Sequence, residues 1–123
     1  MQKYLCSLGS NIEPETHFPQ AQVALKALSD DIRFSRNIPT SPVDMDTNND
    51  FLNALFIIRT PMSANELKQK FNAIEEAMGR DRSDPQRSFK DRPIDMDILG
   101  RLEEKPPVPE YLTSLLPDLG LTS

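Results

Sequence analysis

The order of apolar patterns along this 123-residue chain predicts an α+β fold built on one antiparallel sheet. Alternating apolar residues, typical of strands, and apolar residues at helical spacing follow one another as strand, helix, strand, strand, helix, strand. An antiparallel sheet with both helices on one face is the simplest closed arrangement of that order. The sequence therefore predicts a single domain over residues 1–123 with the ferredoxin-like βαββαβ topology.

The first half of the chain supplies a strand, a helix and a weaker strand. Residues Lys3–Leu8 alternate between two faces and predict the first strand. A helical stripe of apolar residues follows, and the helix is expected to begin at Pro14 or Pro19, since proline suits a first helical position. Ile32–Arg36 predicts a short strand, and Asn37–Asp50 predicts a loop because it is rich in Pro, Asp, Asn and Thr.

The second half begins with the strongest strand pattern, Phe51–Arg59. Both of its faces are largely apolar, so we expect it inside the sheet with both faces covered. Ser63–Glu66 forms a capping box that starts the second helix, where Glu75 at the edge of the apolar stripe is expected to be solvated. The last strand is predicted over Ile94–Ile98, and the prolines beyond it leave room only for a short helix at Tyr111–Leu116.

The composition predicts a soluble, cytoplasmic protein. The single cysteine, Cys6, excludes an internal disulfide and fits a reducing compartment. The longest apolar run, Ala54–Ile58, is too short to cross a bilayer, and the first residues lack a signal-peptide pattern. A net charge of −5 argues against a general nucleic-acid binder. We therefore expect small-molecule partners, no nucleic acid and no membrane, with monomer and homodimer both open.

The segment from Arg80 to Asp97 concentrates the charged residues. It holds five cations and five anions, so the net charge of the chain lies elsewhere. Guanidinium groups suit phosphate oxygens, and a local cation cluster on an acidic body suits a small anionic ligand. The alternative is a basic loop that pairs with its own aspartates. The cations are Arg80, Arg82, Arg87, Lys90 and Arg92.

Asp95 and Asp97 form a candidate metal site at the end of that segment. Residues i and i+2 of a strand share one face, and two carboxylates without a nearby His or Cys favour Mg²⁺ over zinc. The alternative is a strand with a solvated charged face. Phe89, an aromatic residue in a polar loop, could pack over a flat ring. No GxxxxGK[ST] motif is present, which excludes a P-loop, so the pattern predicts another kind of Mg²⁺-triphosphate site.

Four motifs occur in order along the chain. They are Leu8-Gly9-Ser10-Asn11, Phe51-Leu52-Asn53-Ala54, Ile74-Glu75 followed by Gly79-Arg80-Asp81-Arg82, and Arg92-Pro93-Ile94-Asp95-Met96-Asp97-Ile98-Leu99. This set resembles the 6-hydroxymethyl-7,8-dihydropterin pyrophosphokinase family over residues 5–99, with a short divergent tail over 100–123. The resemblance implies pyrophosphoryl transfer from Mg-ATP to the hydroxymethyl group of a reduced pterin, releasing AMP, in folate biosynthesis.

The resemblance also implies a role for each matching residue. Asp95 and Asp97 would bind two magnesium ions between the α- and β-phosphates of ATP, while Arg82 and Arg92 would stabilise charge during transfer. The catalytic set would be Arg82, Arg92, Asp95 and Asp97. The nucleotide site would comprise Glu75, Arg80, Arg82, Phe89 and Arg92. The pterin site would comprise Thr40, Pro42, Val43, Phe51 and Asn53, with the Phe51 ring stacked on the pterin and the Asn53 amide bonded to its edge.

Departures from the family pattern leave a second function open. Lys90-Asp91 precedes Arg92 where the family has a small residue and a proline. Glu110 follows Val108-Pro109 where the family has an ATP-contacting histidine, and the family's following Arg and Phe have no evident counterpart. The alternative function is that of a catalytically weak or inactive paralogue, which binds a nucleotide or pterin as a module.

Overall fold

A computed structural model describes residues 1–11, 13–40, 51–78 and 94–121 of the chain. The strands in these ranges are β1 (Gln2–Ser10), β2 (Ile32–Phe34), β3 (Ile38–Thr40), β4 (Phe51–Thr60) and β5 (Asp95–Arg101). The α-helices are α1 (Pro14–Lys26) and α2 (Ala64–Ala77). A short 3₁₀ turn covers Leu102–Glu104, and a 3₁₀ helix, called the C-terminal segment below, covers Glu110–Leu119.

The sheet is antiparallel with the strand order β2-β4-β1-β5, and β3 pairs with β4 beside β2. Strand β1 lies at the centre, because Leu8 stands opposite Ala54 of β4 on one side and Met96 of β5 on the other. This α+β arrangement is consistent with the ferredoxin-like fold, so the predicted fold class is confirmed. Of the strands in the described ranges, β5 forms one edge of the sheet.

Both α-helices bury their apolar stripes against one face of the sheet, and their side chains form one cluster with those of the strands. The helix side of the cluster consists of Phe18, Ala21, Leu25, Leu67 and Phe71. The predicted capping box is confirmed at the start of α2: the Ser63 hydroxyl accepts from the Glu66 N–H at 3.2 Å, and the Glu66 carboxylate accepts from the Ser63 N–H at 3.2 Å. Two otherwise unpaired N–H groups are thereby satisfied.

The C-terminal segment covers the opposite face of the sheet. Four leucines of the segment pack on Leu5, Leu55 and Ile57 of the central strands. The leucines are Leu112, Leu115, Leu116 and Leu119. The prediction that β4 is covered on both faces is thus confirmed, and the predicted short helix is present but longer, over Glu110–Leu119. Its far end is tied down by Asp118, whose carboxylate accepts from the backbone and side chain of Arg36, each at 2.9 Å.

The predicted loop over Asn37–Asp50 is wrong at its start, where β3 pairs with β4. The predicted strand Ile32–Arg36 also ends early, at Phe34. The cause of the early end is Ser35, whose hydroxyl accepts from the Leu55 N–H at 2.8 Å in place of a backbone carbonyl. The chain rejoins the edge of β4 at Ile38, because that edge still offers hydrogen-bonding groups despite the poor strand propensity of Pro39.

Cys6 is a buried, free thiol on β1. Burial raises the pKa of this thiol, the nearby charge of Asp97 raises it further, and Lys68 acts in the opposite direction. A buried thiol of raised pKa is chemically inert, so Cys6 serves as a small core residue. Across the described ranges, no helix has both the length and the apolar character needed to cross a membrane.

We expect Leu115→Ala to lower the free energy of unfolding by about 2–5 kcal/mol, because a fully buried leucine between the C-terminal segment and the sheet leaves a cavity. Urea denaturation measures this change. Val23→Ala is the control, since Val23 is 68% exposed and its truncation should change stability by less than about 0.5 kcal/mol. Equal effects of the two substitutions would contradict the packing of the segment on the sheet.

Candidate active site

Asp95 and Asp97 lie on edge strand β5 and flank Met96, whose side chain is buried on the helix-covered face. In the pairing with β1, Asp95 stands opposite Gly9 and Asp97 opposite Ser7. Paired residues of neighbouring strands share a face, so both carboxylates belong to the sheet face that carries the C-terminal segment. Asp95 is half-buried, whereas 58% of the Asp97 side chain is exposed. The predicted sharing of one face by the two carboxylates is confirmed.

Glu75 is completely buried, so the prediction of a solvated residue at the stripe boundary is wrong. Its Oε2 atom accepts from the Met96 N–H at 2.7 Å. Met96 lies on an edge strand, and a buried N–H that points away from β1 needs an acceptor from another element. The helical periodicity of α2 could not reveal this need, because it arises from the docking of α2 beside β5.

Lys68 also reaches β5 from α2, and sequence reasoning assigned it no role. Its Nζ donates to the Met96 carbonyl at 2.9 Å and lies 3.5 Å from Oδ1 of Asp97. Lys68 and Glu75 are seven residues apart, about two helical turns, so they lie on the same side of α2. Lys68 donates to the carbonyl of Met96 and Glu75 accepts from its N–H, so both side chains hold the residue that lies between the two aspartates.

Asn53 supplies the polar group on β4 at the same end of the sheet. It is 7% exposed, and its Nδ2 donates to Oγ1 of Thr40 on β3. Gly9 lies between Asn53 of β4 and Asp95 of β5 in the pairing of the three strands. A Cβ atom at Gly9 would come within 2.9 Å of the Asn53 amide oxygen, so only glycine leaves room for that amide. Asn53, Gly9 and Asp95 thus form one row across the sheet.

Adjacent strands are about 4.8 Å apart, so the row places Asn53 and Asp95 about 10 Å apart at the backbone. Thr40 pairs with Phe51, a half-buried residue at the start of β4, and completes the polar end of β3 and β4. The structure therefore brings Thr40, Phe51 and Asn53 to the same end of the sheet as Asp95. The sequence predicted these residues through family resemblance, and their proximity follows from the strand register.

Tyr111, at the start of the C-terminal segment, lies near the carboxylate pair. Burial raises the pKa of its phenol, and the charges of Asp95 and Asp97 raise it further. The side chain is nevertheless 57% exposed. Sequence reasoning assigned Tyr111 only to a short helix, since nothing in the local pattern shows that the helix begins beside the aspartates.

The remaining predicted site residues lie outside the described ranges. They are Pro42, Val43, Arg80, Arg82, Phe89 and Arg92. Within the described ranges, no group of three or more His, Cys, Asp or Glu side chains could hold a metal ion. The carboxylate pair alone still fits Mg²⁺, because this ion commonly binds one or two carboxylates and completes its coordination with water and phosphate oxygens.

We expect Glu75→Ala to lower the free energy of unfolding by about 1–3 kcal/mol, because it leaves the buried Met96 N–H without this acceptor. Urea denaturation measures the loss. Glu76→Ala, at the exposed neighbouring position, should cost less and serves as the control. A Glu75→Ala variant as stable as the wild type would show that the hydrogen bond to β5 contributes nothing.

We expect Asp97→Asn to lower the pKa of Tyr111 toward its ordinary value of 10.0, because a nearby negative charge disfavours the phenolate. The neutral phenol is favoured on folding, so its contribution to stability is complete below that ordinary pKa and is lost as the pH rises through the folded value. NMR titration of the tyrosine ring carbons measures the shift. Asp118→Asn, at the far end of the C-terminal segment, should leave it unchanged, and equal shifts would contradict the proximity of Tyr111 to Asp97.

Comparison with known proteins gives the family of this chain. The model of the family 7,8-dihydro-6-hydroxymethylpterin-pyrophosphokinase matches residues 5–117, which include most of β1, all of β2 to β5 and most of the C-terminal segment. The match therefore continues past Leu99, where the motif resemblance ended. A search of curated proteins found no match. On the strength of the family match, this chain belongs to the 7,8-dihydro-6-hydroxymethylpterin-pyrophosphokinase family.

Proposed function

We propose that this chain transfers the pyrophosphoryl group of Mg-ATP to the hydroxymethyl group of 6-hydroxymethyl-7,8-dihydropterin and releases AMP. The family is one of pyrophosphokinases that act in folate biosynthesis on small molecules, which supports the general reaction. The observation that carries the proposal is the row formed by Asn53, Gly9 and Asp95. It places a buried amide, suited to the edge of a heterocycle, and the carboxylate pair on one end of the sheet.

The proposed reaction forms one bond and breaks one. The hydroxymethyl oxygen of the pterin attacks the β-phosphorus of ATP, and the bond from that phosphorus to the oxygen bridging to the α-phosphate breaks. AMP leaves with that oxygen, and the hydroxyl proton is released to solvent. Little covalent chemistry is required of the protein, so its task is to position two substrates and balance charge.

Asp95 and Asp97 would hold Mg²⁺ at the phosphate end of the site. The bound ion would offset the negative charge that the transferred group carries. Met96 supports this role, because its backbone is held by Glu75 and Lys68 and the strand between the two carboxylates is thereby fixed. Arg80, Arg82 and Arg92 are proposed to hold phosphate oxygens, with Phe89 against the bound nucleotide, on the basis of the family resemblance.

Asn53 would recognise the pterin at the other end of the row. Its amide is held by Thr40 and is nearly excluded from solvent, so its orientation is set before a ligand arrives. A preorganised amide loses little entropy when it binds the donors and acceptors on the edge of a pterin ring. Phe51 is proposed to stack on the ring, with Pro42 and Val43 offering backbone groups.

Glu110 supports the second candidate function, a binding module with weak or no catalysis. It precedes Tyr111, so a carboxylate occurs one residue from a side chain whose pKa is raised by the charges of both aspartates. An added negative charge near a triphosphate is repulsive and costs on the order of 1 kcal/mol in partly exposed surroundings. Binding of a nucleotide or pterin without turnover would fit this candidate.

The test is AMP formation, followed by chromatography, from Mg-ATP with and without 6-hydroxymethyl-7,8-dihydropterin. We expect pterin-dependent AMP that falls on the order of 100-fold or more in Asp97→Asn, because a positioned charge is lost without a change of shape. Asp30→Asn removes an exposed carboxylate at the end of the sheet away from the row and should retain full activity.

Two outcomes would contradict the proposal. Equal AMP formation by the wild type and Asp97→Asn would show that the carboxylate pair is not the catalytic site. Measurable binding of ATP or the pterin by the wild type, without any AMP, would favour the binding module instead.

A further inference from the structure

Lys68 brings a positive charge to the carboxylate pair from helix α2. Its Nζ atom lies 2.9 Å from the Met96 carbonyl oxygen and 3.5 Å from Oδ1 of Asp97, so the contact with the backbone is the shorter one. The shorter contact is to the backbone of β5, so the position of the ammonium group does not depend on the carboxylate. A ligand could therefore engage Asp97 while Lys68 stays in place.

The ion pair between Lys68 and Asp97 is too exposed to matter much for stability. The side chains are 40% and 58% exposed, and pairs of this kind contribute little to folding because water screens them. The same charge still changes the electrostatic potential at the carboxylates, where a cation would bind. The position of Lys68 therefore bears on which ligands the pair accepts.

We propose that Lys68 is a specificity-determining residue, which makes the Asp95–Asp97 pair select a divalent cation bound to a nucleotide over the free cation. The proposal rests on the proposed function in one respect, that the pair is the cation site. A fixed ammonium group repels a free divalent cation, which carries two positive charges. It attracts the complex of that cation with a triphosphate, which carries a net negative charge.

The Lys68 charge would change the affinities for the two ligands in opposite directions, whereas a residue that only supports the structure would change both in the same direction. Removing the Lys68 charge should tighten the binding of the free cation and weaken the binding of the cation–nucleotide complex. A loss of local structure around β5 would weaken both. The sign of the two changes therefore separates selection by charge from support of the strand.

The experiment measures binding of Mn²⁺ alone, by electron paramagnetic resonance, and of Mn²⁺ with a non-hydrolysable ATP analogue, by calorimetry. For Lys68→Met we expect about three- to tenfold tighter binding of Mn²⁺ and about three- to tenfold weaker binding of the complex, at low ionic strength. Lys68→Arg keeps the charge and should differ from the wild type by less than about twofold for both ligands.

Lys70→Met is the matched control for net charge. Lys70 is exposed on the same helix and lies about 200° around it from Lys68, so its removal changes the charge of the chain equally but away from Asp97. It should change neither affinity by more than about twofold, since a charge on the far side of the helix acts only weakly on Asp97 through water of high dielectric constant.

The outcomes distinguish this proposal from the proposed function. Suppose that Asp97→Asn abolishes Mn²⁺ binding. If Lys68→Met leaves Mn²⁺ binding unchanged, or weakens the binding of both Mn²⁺ and the complex, only the role of Lys68 is overturned. If neither the wild type nor Lys68→Met shows Mn²⁺ binding that depends on Asp97, the cation site and both proposals are overturned. Binding that appears only in Lys68→Met would support the role of Lys68.

Discussion

The hydrogen bonds that hold the Met96 backbone are the constraint on which the carboxylate pair depends. Among the described strands, β5 has a neighbour on one side only, so its outward N–H and carbonyl need partners from another element. Helix α2 supplies an acceptor in Glu75 and a donor in Lys68. One helix face thereby aligns the strand that carries both aspartates and keeps another chain from pairing with Met96.

The row of Asn53, Gly9 and Asp95 across the sheet depends in turn on the glycine at its centre. Gly9 allows the Asn53 amide to lie over β1, and Thr40 holds that amide from β3. The two ends of the proposed site, one for a heterocycle and one for a cation with phosphates, are therefore set by strand register. A slip of β4 by one residue would turn Asn53 to the helix-covered face of the sheet, away from Asp95.

The pattern of apolar residues was sufficient to predict the α+β class, the two α-helices and the central strands, because each of these elements buries a periodic stripe or face. Strand β3 was missed since pairing with an available edge outweighed the low strand propensity of Pro39. The shared face of Asp95 and Asp97 was predicted from their spacing, and their role as a metal site stays a prediction. Glu75 was misjudged and Lys68 overlooked, because their roles depend on a backbone that is distant in sequence.

The sequence by itself determined both α-helices and the central strands, the shared face of Asp95 and Asp97, and the motifs that led to the family. Those features are local, since they follow from periodicity and from the order of a few adjacent residues. The tertiary structure alone decided that α2 holds β5 through Met96 and that Tyr111 lies near the aspartates. These contacts join residues far apart in the chain, and only the packing of helix, sheet and C-terminal segment brings them together.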